Sequence, residues 1–229
     1  MLKAVAHDIF SKKGYKATGI SEIAKQAGVA VGSFYNYYES KEAIFLDVYV
    51  DENNRVRQIM MDEIDWERDM VDIIGRIFRQ SRSLVSSNRI LVEWTNPAIS
   101  DELHNYYSSE EGKRANHFHQ FLVETFTNRM MAEGCSYEQI QDVLQVYHLF
   151  YYMDMHITED DFPNISQALE ILATNFVKGI FTFKRKDDDR DEQKEATSGV
   201  ENRHWQRKIE KNSEKEIQNK AHQMKALNY

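Results

Sequence analysis

Residues 20–39 read ISEIAKQAGVAVGSFYNYYE. The small apolar residues Ile23, Ala24 and Ala27 lead into Gly28, and Val29 and Phe34 follow. A helix-turn-helix needs this order: a small residue where two helices approach, a glycine in the turn, and apolar anchors on either side. Ala24 lets the second helix approach, Gly28 makes the turn, and Phe34 anchors the second helix from inside. The next residues, Tyr35-Asn36-Tyr37-Tyr38, fit neither a core, which would be apolar, nor a plain surface, which would be charged. In a helix-turn-helix the second helix enters the DNA major groove. Ser33, Tyr35, Asn36 and Tyr37 then face the duplex. Their hydroxyls and amide suit phosphate oxygens, and Asn can also read an adenine edge. Lys41, at the next helix start, adds a cation beside helix N-terminal amides.

Outward from this stretch the pattern is helical. Val5, Ala6, Ile9 and Phe10 predict a first helix over 2–13, stopped by Gly14-Tyr15. Thr18 reads as the N-cap of a helix over 19–26, and a short helix is expected over about 31–37. Ser40 caps a fourth that runs to about Met61. Met70, Ile73, Ile74, Ile77, Phe78, Ser81, Leu84 and Val85 form a stripe at helical spacing. Ile90 to Trp94 is a short apolar piece before Pro97. Ser108-x-x-Glu111 reads as a capping box opening a helix with Phe118, Phe121, Leu122, Phe126 and Met130, and Ser136-x-x-Gln139 reads as a second. A last helix is expected from Pro163. No alternating strand pattern or internal repeat occurs. The fold expected is all-α, of about nine helices.

Only 2 prolines and 9 glycines in 229 residues agree with long helices. The single Cys135 cannot form an internal disulfide, which favours a reducing compartment and an incidental thiol. No apolar window spans a bilayer and no leader-like apolar segment opens the sequence, so a cytoplasmic protein without a membrane partner is expected. The net charge of −8 is unevenly spread. Residues 1–41 carry six Lys and Arg against three Asp and Glu, and residues 42–183 carry 11 against 24. A basic head on an acidic body suits a protein that offers one end to a polyanion. From the acidity of the body, a cationic or neutral hydrophobic effector is expected over an anionic one.

Residues 9–45, IFSKKGYKATGISEIAKQAGVAVGSFYNYYESKEAIF, resemble the DNA-binding domain of TetR-family transcriptional regulators. Phe10, Gly14-Tyr15, Thr18, Ile23-Ala24, Ala27-Gly28-Val29, Gly32-Ser33-Phe34-Tyr35 and Ser40-Lys41-Glu42 carry the resemblance. It implies two parts, a helix-turn-helix domain over 1–45 and a helical effector-binding and dimerisation domain of about six helices over 46–183, while the charged run after Phe183 reads as a charged tail over 184–229 that is disordered or partly helical. It further implies phosphate contacts from Ser33, Tyr35, Tyr37 and Lys41, with Thr18 at the phosphate-facing start of helix two. Ser21, Val31, Gly32 and Asn36 fall where members choose bases. Val31 replaces a common Lys, Arg or Gln, and Ala30 replaces a common capping hydroxyl.

With its apolar stripes, the resemblance points to Val143, Leu144, Tyr147, Leu169, Leu172, Phe176 and Ile180 as a dimer face. Trp94, Phe118, Phe121, Phe126, Tyr147 and Tyr151 are core in any helical domain and candidates to line a pocket. The histidines read as ordinary: His117 and His119 point to different helix faces and cannot chelate together. The reading is a homodimeric one-component regulator, a repressor, that binds a pseudo-palindromic operator and is released by a small-molecule effector, with no cofactor. The alternatives are an architectural or scaffolding DNA-binding protein, or a helical enzyme with a nucleic-acid module. No phosphate loop, catalytic triad spacing or metal cluster supports catalysis.

Overall fold

The computed structural model describes residues 1–159 and 161–187. The chain divides into two compact units, Met1–Val177 and Lys178–Tyr229, and the first contains all the described helices except the end of the last. The part of the expected charged tail beyond residue 187 lies outside the described residues. The fold is all-α: the described residues form ten α-helices and one 3₁₀ turn, without a strand.

The head consists of α1 (Leu2–Lys13), α2 (Ile20–Gln26) and α3 (Val31–Phe34), held by the start of α4 (Lys41–Glu63). Phe10, Phe34, Phe45, Ile23 and Ile44 are fully buried there. Phe10 and Phe45 meet edge to face at 4.9 Å, as do Tyr15 and Phe45. The expected boundary near residue 45 therefore falls inside α4, which continues through Val48, Tyr49, Val56 and Met60 into the body without a break.

The body adds α5 (Met70–Ser86), the 3₁₀ turn Leu91–Thr95, α6 (Ser100–Ser108), α7 (Glu110–Ala115), α8 (His117–Ala132), α9 (Tyr137–His156) and α10 (Ile165–Asp187). Phe150 and Phe176 join α9 to α10 at 5.9 Å, and Arg82 pairs with Glu170 at 2.7 Å to join α5 to α10.

Local chemistry explains most helix ends. Gly28 sits at φ 69, the left-handed turn that an L side chain resists. Ser40 accepts from the Ala43 amide at 3.0 Å. Ser136 and Gln139 form a reciprocal capping box.

Four local expectations are corrected. Thr18 does not cap α2, because its buried hydroxyl donates to the Gly14 carbonyl at 2.8 Å and Gly19 holds the cap position. The helical part of α3 ends at Phe34, and tighter turns carry the chain to Tyr38. The cap near residue 108 is Ser109, which accepts from the Gly112 amide. Ser108 instead ends α6, a helix the sequence reading omitted, and Asn116 separates α7 from α8. Pro163 precedes its helix, because Asn164 is left-handed at φ 64 and α10 can start only after it.

Candidate nucleic-acid interface

Phe34 has no exposure and pins α3 from beneath, stacked edge to face on Tyr35 at 5.5 Å. What α3 leaves outside is the sequence expected to touch DNA. Tyr37 is 72% exposed, Tyr35 54% and Val31 42%. Ser21, Gly32 and Asn36 are exposed and Ser33 half-buried. Val31 and Tyr35 are four residues apart, as are Gly32 and Asn36, which places each pair one turn apart. Tyr38 turns inward and donates to Asp47 at 2.6 Å. Burial first, then that hydrogen bond, pushes its pKa up to about 12.

Thr18 and Lys41 are placed differently from the sequence expectation. Thr18 is 3% exposed with its hydroxyl engaged, so its side chain is not offered to a phosphate. The Lys41 ammonium donates to the Tyr15 and Thr18 carbonyls at 3.2 Å each and lies 3.9 Å over the Tyr15 ring. It locks the loop before α2 onto the start of α4. The charge on Lys41 thus faces carbonyls, and of the first amides of α4 that of Ala43 is taken up by Ser40.

The cations that remain outward are ones the sequence reading counted but did not single out. Lys12, Lys16 and Lys25 are exposed and enter no ion pair among the described residues, whereas Lys13 pairs with Glu22. Their position in or next to the first two helices was the available signal.

Carboxylates join the head to the body. Glu93, from the 3₁₀ turn, accepts from the Tyr15 amide at 3.0 Å. Tyr15 donates its hydroxyl to Glu42. Burial and that carboxylate push the Tyr15 phenol up, while the same hydrogen bond draws Glu42 down. Glu52 is 4% exposed and meets His7 of α1 at 3.0 Å, Arg55 at 2.6 Å, and Asn88 beyond α5.

The six pocket candidates scatter. Trp94 packs with Tyr49, Tyr107 and His104, and Phe121 packs on Trp66 at 4.7 Å. Phe118 is buried beneath the Arg57 guanidinium, and Phe126 is half-buried. Tyr151 alone among them lines a cavity of about 420 Å³ between α7, α8 and α9. Tyr147 reaches it through His119, whose Nδ1 lies 2.7 Å from the Tyr147 hydroxyl. Sequence reading passed over His119 and His148 as ordinary histidines, yet both line this cavity. Among the described residues no group of three His, Cys, Asp or Glu side chains could hold a metal, and no helix is long and apolar enough to cross a membrane.

The expected dimer face is also redistributed. Leu169 is 2% exposed and packs inside its own chain, so it is not available to a partner. Tyr147 is turned to His119, and Phe176 to Phe150. Val143 and Leu144 are half-buried, as is Ile180, which lies on α10 beyond the first unit. Leu172 is 52% exposed, and Leu149, Tyr152 and Ile171, absent from the expectation, are exposed beside it in the sequence of α9 and α10.

The family model for bacterial regulatory proteins of the tetR family matches residues 2–48. The HTH-type transcriptional regulator YdgC of Bacillus subtilis (strain 168) is 46% identical over 59 residues, 26% of this chain and 30% of that protein. The fatty acid metabolism regulator protein of the same strain is 27% identical over 86 residues, 38% of this chain and 44% of that protein. The matched segments thus span less than half of these curated relatives. The structure of RolR without ligand superposes with a TM-score of 0.50 at 18% identity, covering 77% of this chain and 88% of that one, a likeness of fold. The exposed tip of the helix-turn-helix lies inside the segment that the tetR family model matches.

Proposed function

We propose that the chain is a DNA-binding regulator of the tetR family, a homodimeric repressor that leaves its operator when a small molecule occupies the body. The observation that carries the DNA-binding part is the exposure of Tyr35, Asn36 and Tyr37 above a fully buried Phe34. A tip of this kind has no structural use for two solvated aromatics, whereas a phosphate and base surface uses their hydroxyls and faces. One short helix offers few contacts, so two copies related by a two-fold axis reach useful affinity through effective concentration. Their half-sites then lie one helical turn apart. The exposed Leu149, Tyr152, Ile171 and Leu172 on α9 and α10 support the homodimer, because they form apolar surface of the type a second copy covers.

Release follows from differential affinity. A ligand that binds the DNA-incompetent spacing about a hundredfold better shifts the equilibrium by about 2.7 kcal/mol per site. The test is fluorescence anisotropy on the DNA upstream of the chain's own gene, with scrambled DNA as control. Sequence-selective binding that weakens in salt and falls about tenfold in Tyr37→Ala is expected. Equal affinity for the scrambled duplex would remove the operator reading and leave an architectural role.

A further inference from the structure

The cavity between α7, α8 and α9 has a chemistry that the acidity of the body hides. Its lining includes Lys113, Arg114, His119 and His148, with Asn116 and Tyr151. None of the described residues that line it is a carboxylate. This is notable because residues 42–183 carry more than two acids for each base. Its volume of about 420 Å³ falls in the range of small-molecule sites.

The nitrogen groups are arranged by the surrounding structure. Asn116 caps α8 by accepting from the His119 amide at 3.1 Å, and its amide group donates to the Tyr151 hydroxyl at 3.0 Å. His119 lies stacked on Tyr147 and 4.6 Å from Tyr151. Nδ1 of His119 shares a 2.7 Å hydrogen bond with the Tyr147 hydroxyl, which fixes the orientation of the ring. Burial, and then His148, lower the pKa of His119. Arg114 uses Nε on the Glu110 carbonyl at 3.1 Å and makes no ion pair among the described residues. Lys113 pairs with Glu110 at 3.1 Å, a carboxylate that is 82% exposed, so the pair is weak and exchangeable. The two terminal nitrogens of Arg114 are therefore the strongest free donors at the cavity.

We propose that this cavity receives the oxyanion of the effector, a carboxylate or phosphate held by Arg114 and Lys113 beside His119. Planar guanidinium forks and lysine charges suit both anions. The proposal reverses the expectation of a cationic or neutral effector. Net charge counts surface acids, which do not line this site. It deepens the effector part of the function proposed above and rests on it.

The test uses the full chain and three probes: octanoate, octyl phosphate and octylammonium. Binding is followed by the imidazole proton resonances of His119 and His148, assigned with His119→Gln and His148→Gln. Both anions should shift the resonances saturably, and octylammonium should not. Comparison of the two anions tells a carboxylate site from a phosphate site. Arg114→Gln, an exposed substitution, should weaken the preferred anion about tenfold, and Lys113→Gln less. Saturable binding of octylammonium, or anion binding unchanged in Arg114→Gln, would overturn the proposal. DNA binding is measured on the same samples. Intact operator selectivity with no anion binding removes the site and leaves the regulator. Anion binding without operator selectivity removes the regulator and leaves the site.

Discussion

Glu52→Gln removes one charge from the joint between head and body while keeping the side chain's shape. Burial alone would raise this carboxyl, but donors from Arg55, His7 and Asn88 and the charge of Arg55 outweigh it and hold its pKa at about 2. Against an ordinary 4.5, the difference corresponds to at most about 3.4 kcal/mol. Arg55 is 59% exposed, so solvent screening reduces this to about 2 kcal/mol. The folded pKa lies below the unfolded one, so the stabilisation is complete above the unfolded value and disappears as pH falls through the folded value. Thermal melts should show Glu52→Gln roughly 4–8 °C below the parent at pH 7. By pH 3 the gap should shrink to about 40% of that. A His7→Ala cycle at pH 7 gives a second readout without acid, with a coupling of about 1 kcal/mol expected. A gap that is the same at pH 3 and pH 7 would refute the electrostatic account, whatever its size.

Gly112→Ala drives a Cβ into the Tyr106 carbonyl oxygen and to 2.8 Å from its carbon, both backbone atoms that cannot turn aside. Urea unfolding should show a loss of at least about 2 kcal/mol, and an unchanged midpoint would mean that α6 and α7 part easily. Leu149→Glu with Leu172→Glu should give a monomer in sedimentation equilibrium, since both are exposed and their loss leaves the core intact; a persistent dimer would assign the interface elsewhere. Lys25→Ala should lower the slope of log affinity against log salt by about 1, while Tyr37→Ala lowers affinity with little change of slope. The reverse pattern would exchange the roles of the two residues.

The head was legible because its determinants are local. Gly28 needs a left-handed turn, Ser40 needs the Ala43 amide, and Phe34 needs the pocket that Ile23 and Ala24 help to build. All of these lie between residues 23 and 43. Thr18 and Lys41 were misread because their acceptors are carbonyls whose positions depend on the folded loop, and a carbonyl has no sequence signature. The cap at Ser109 was missed by one position because Ser108 and Ser109 offer the same hydroxyl, and only the α6–α7 geometry selects between them. Leu169 and Leu172 belong to one apolar stripe in sequence, yet the first packs inward and the second faces out. Periodicity marks that a helix is amphipathic without saying which neighbour its stripe meets.

The polar ties also constrain how the head can be re-spaced. Apolar contacts such as Phe10 on Phe45 are non-directional and tolerate sliding. Hydrogen bonds to carboxylates have fixed lengths and directions. Glu52 grips α1 at His7 and reaches Asn88, while Glu93 grips the turn just after α1 through the Tyr15 amide. Gly14 sits against Glu93 so closely that a Cβ would lie 3.1 Å from its oxygen. Two attachment points, one on α1 and one just past its end, remove its freedom to rotate independently of residues 88–93. Breaking either tie leaves a buried or half-buried carboxylate short of a donor, which costs about 1–3 kcal/mol. A motion that changes the reach of α3 is therefore cheapest when α1, the start of α4 and residues 88–93 move together, so a ligand that acts on the head has to displace this block as a unit.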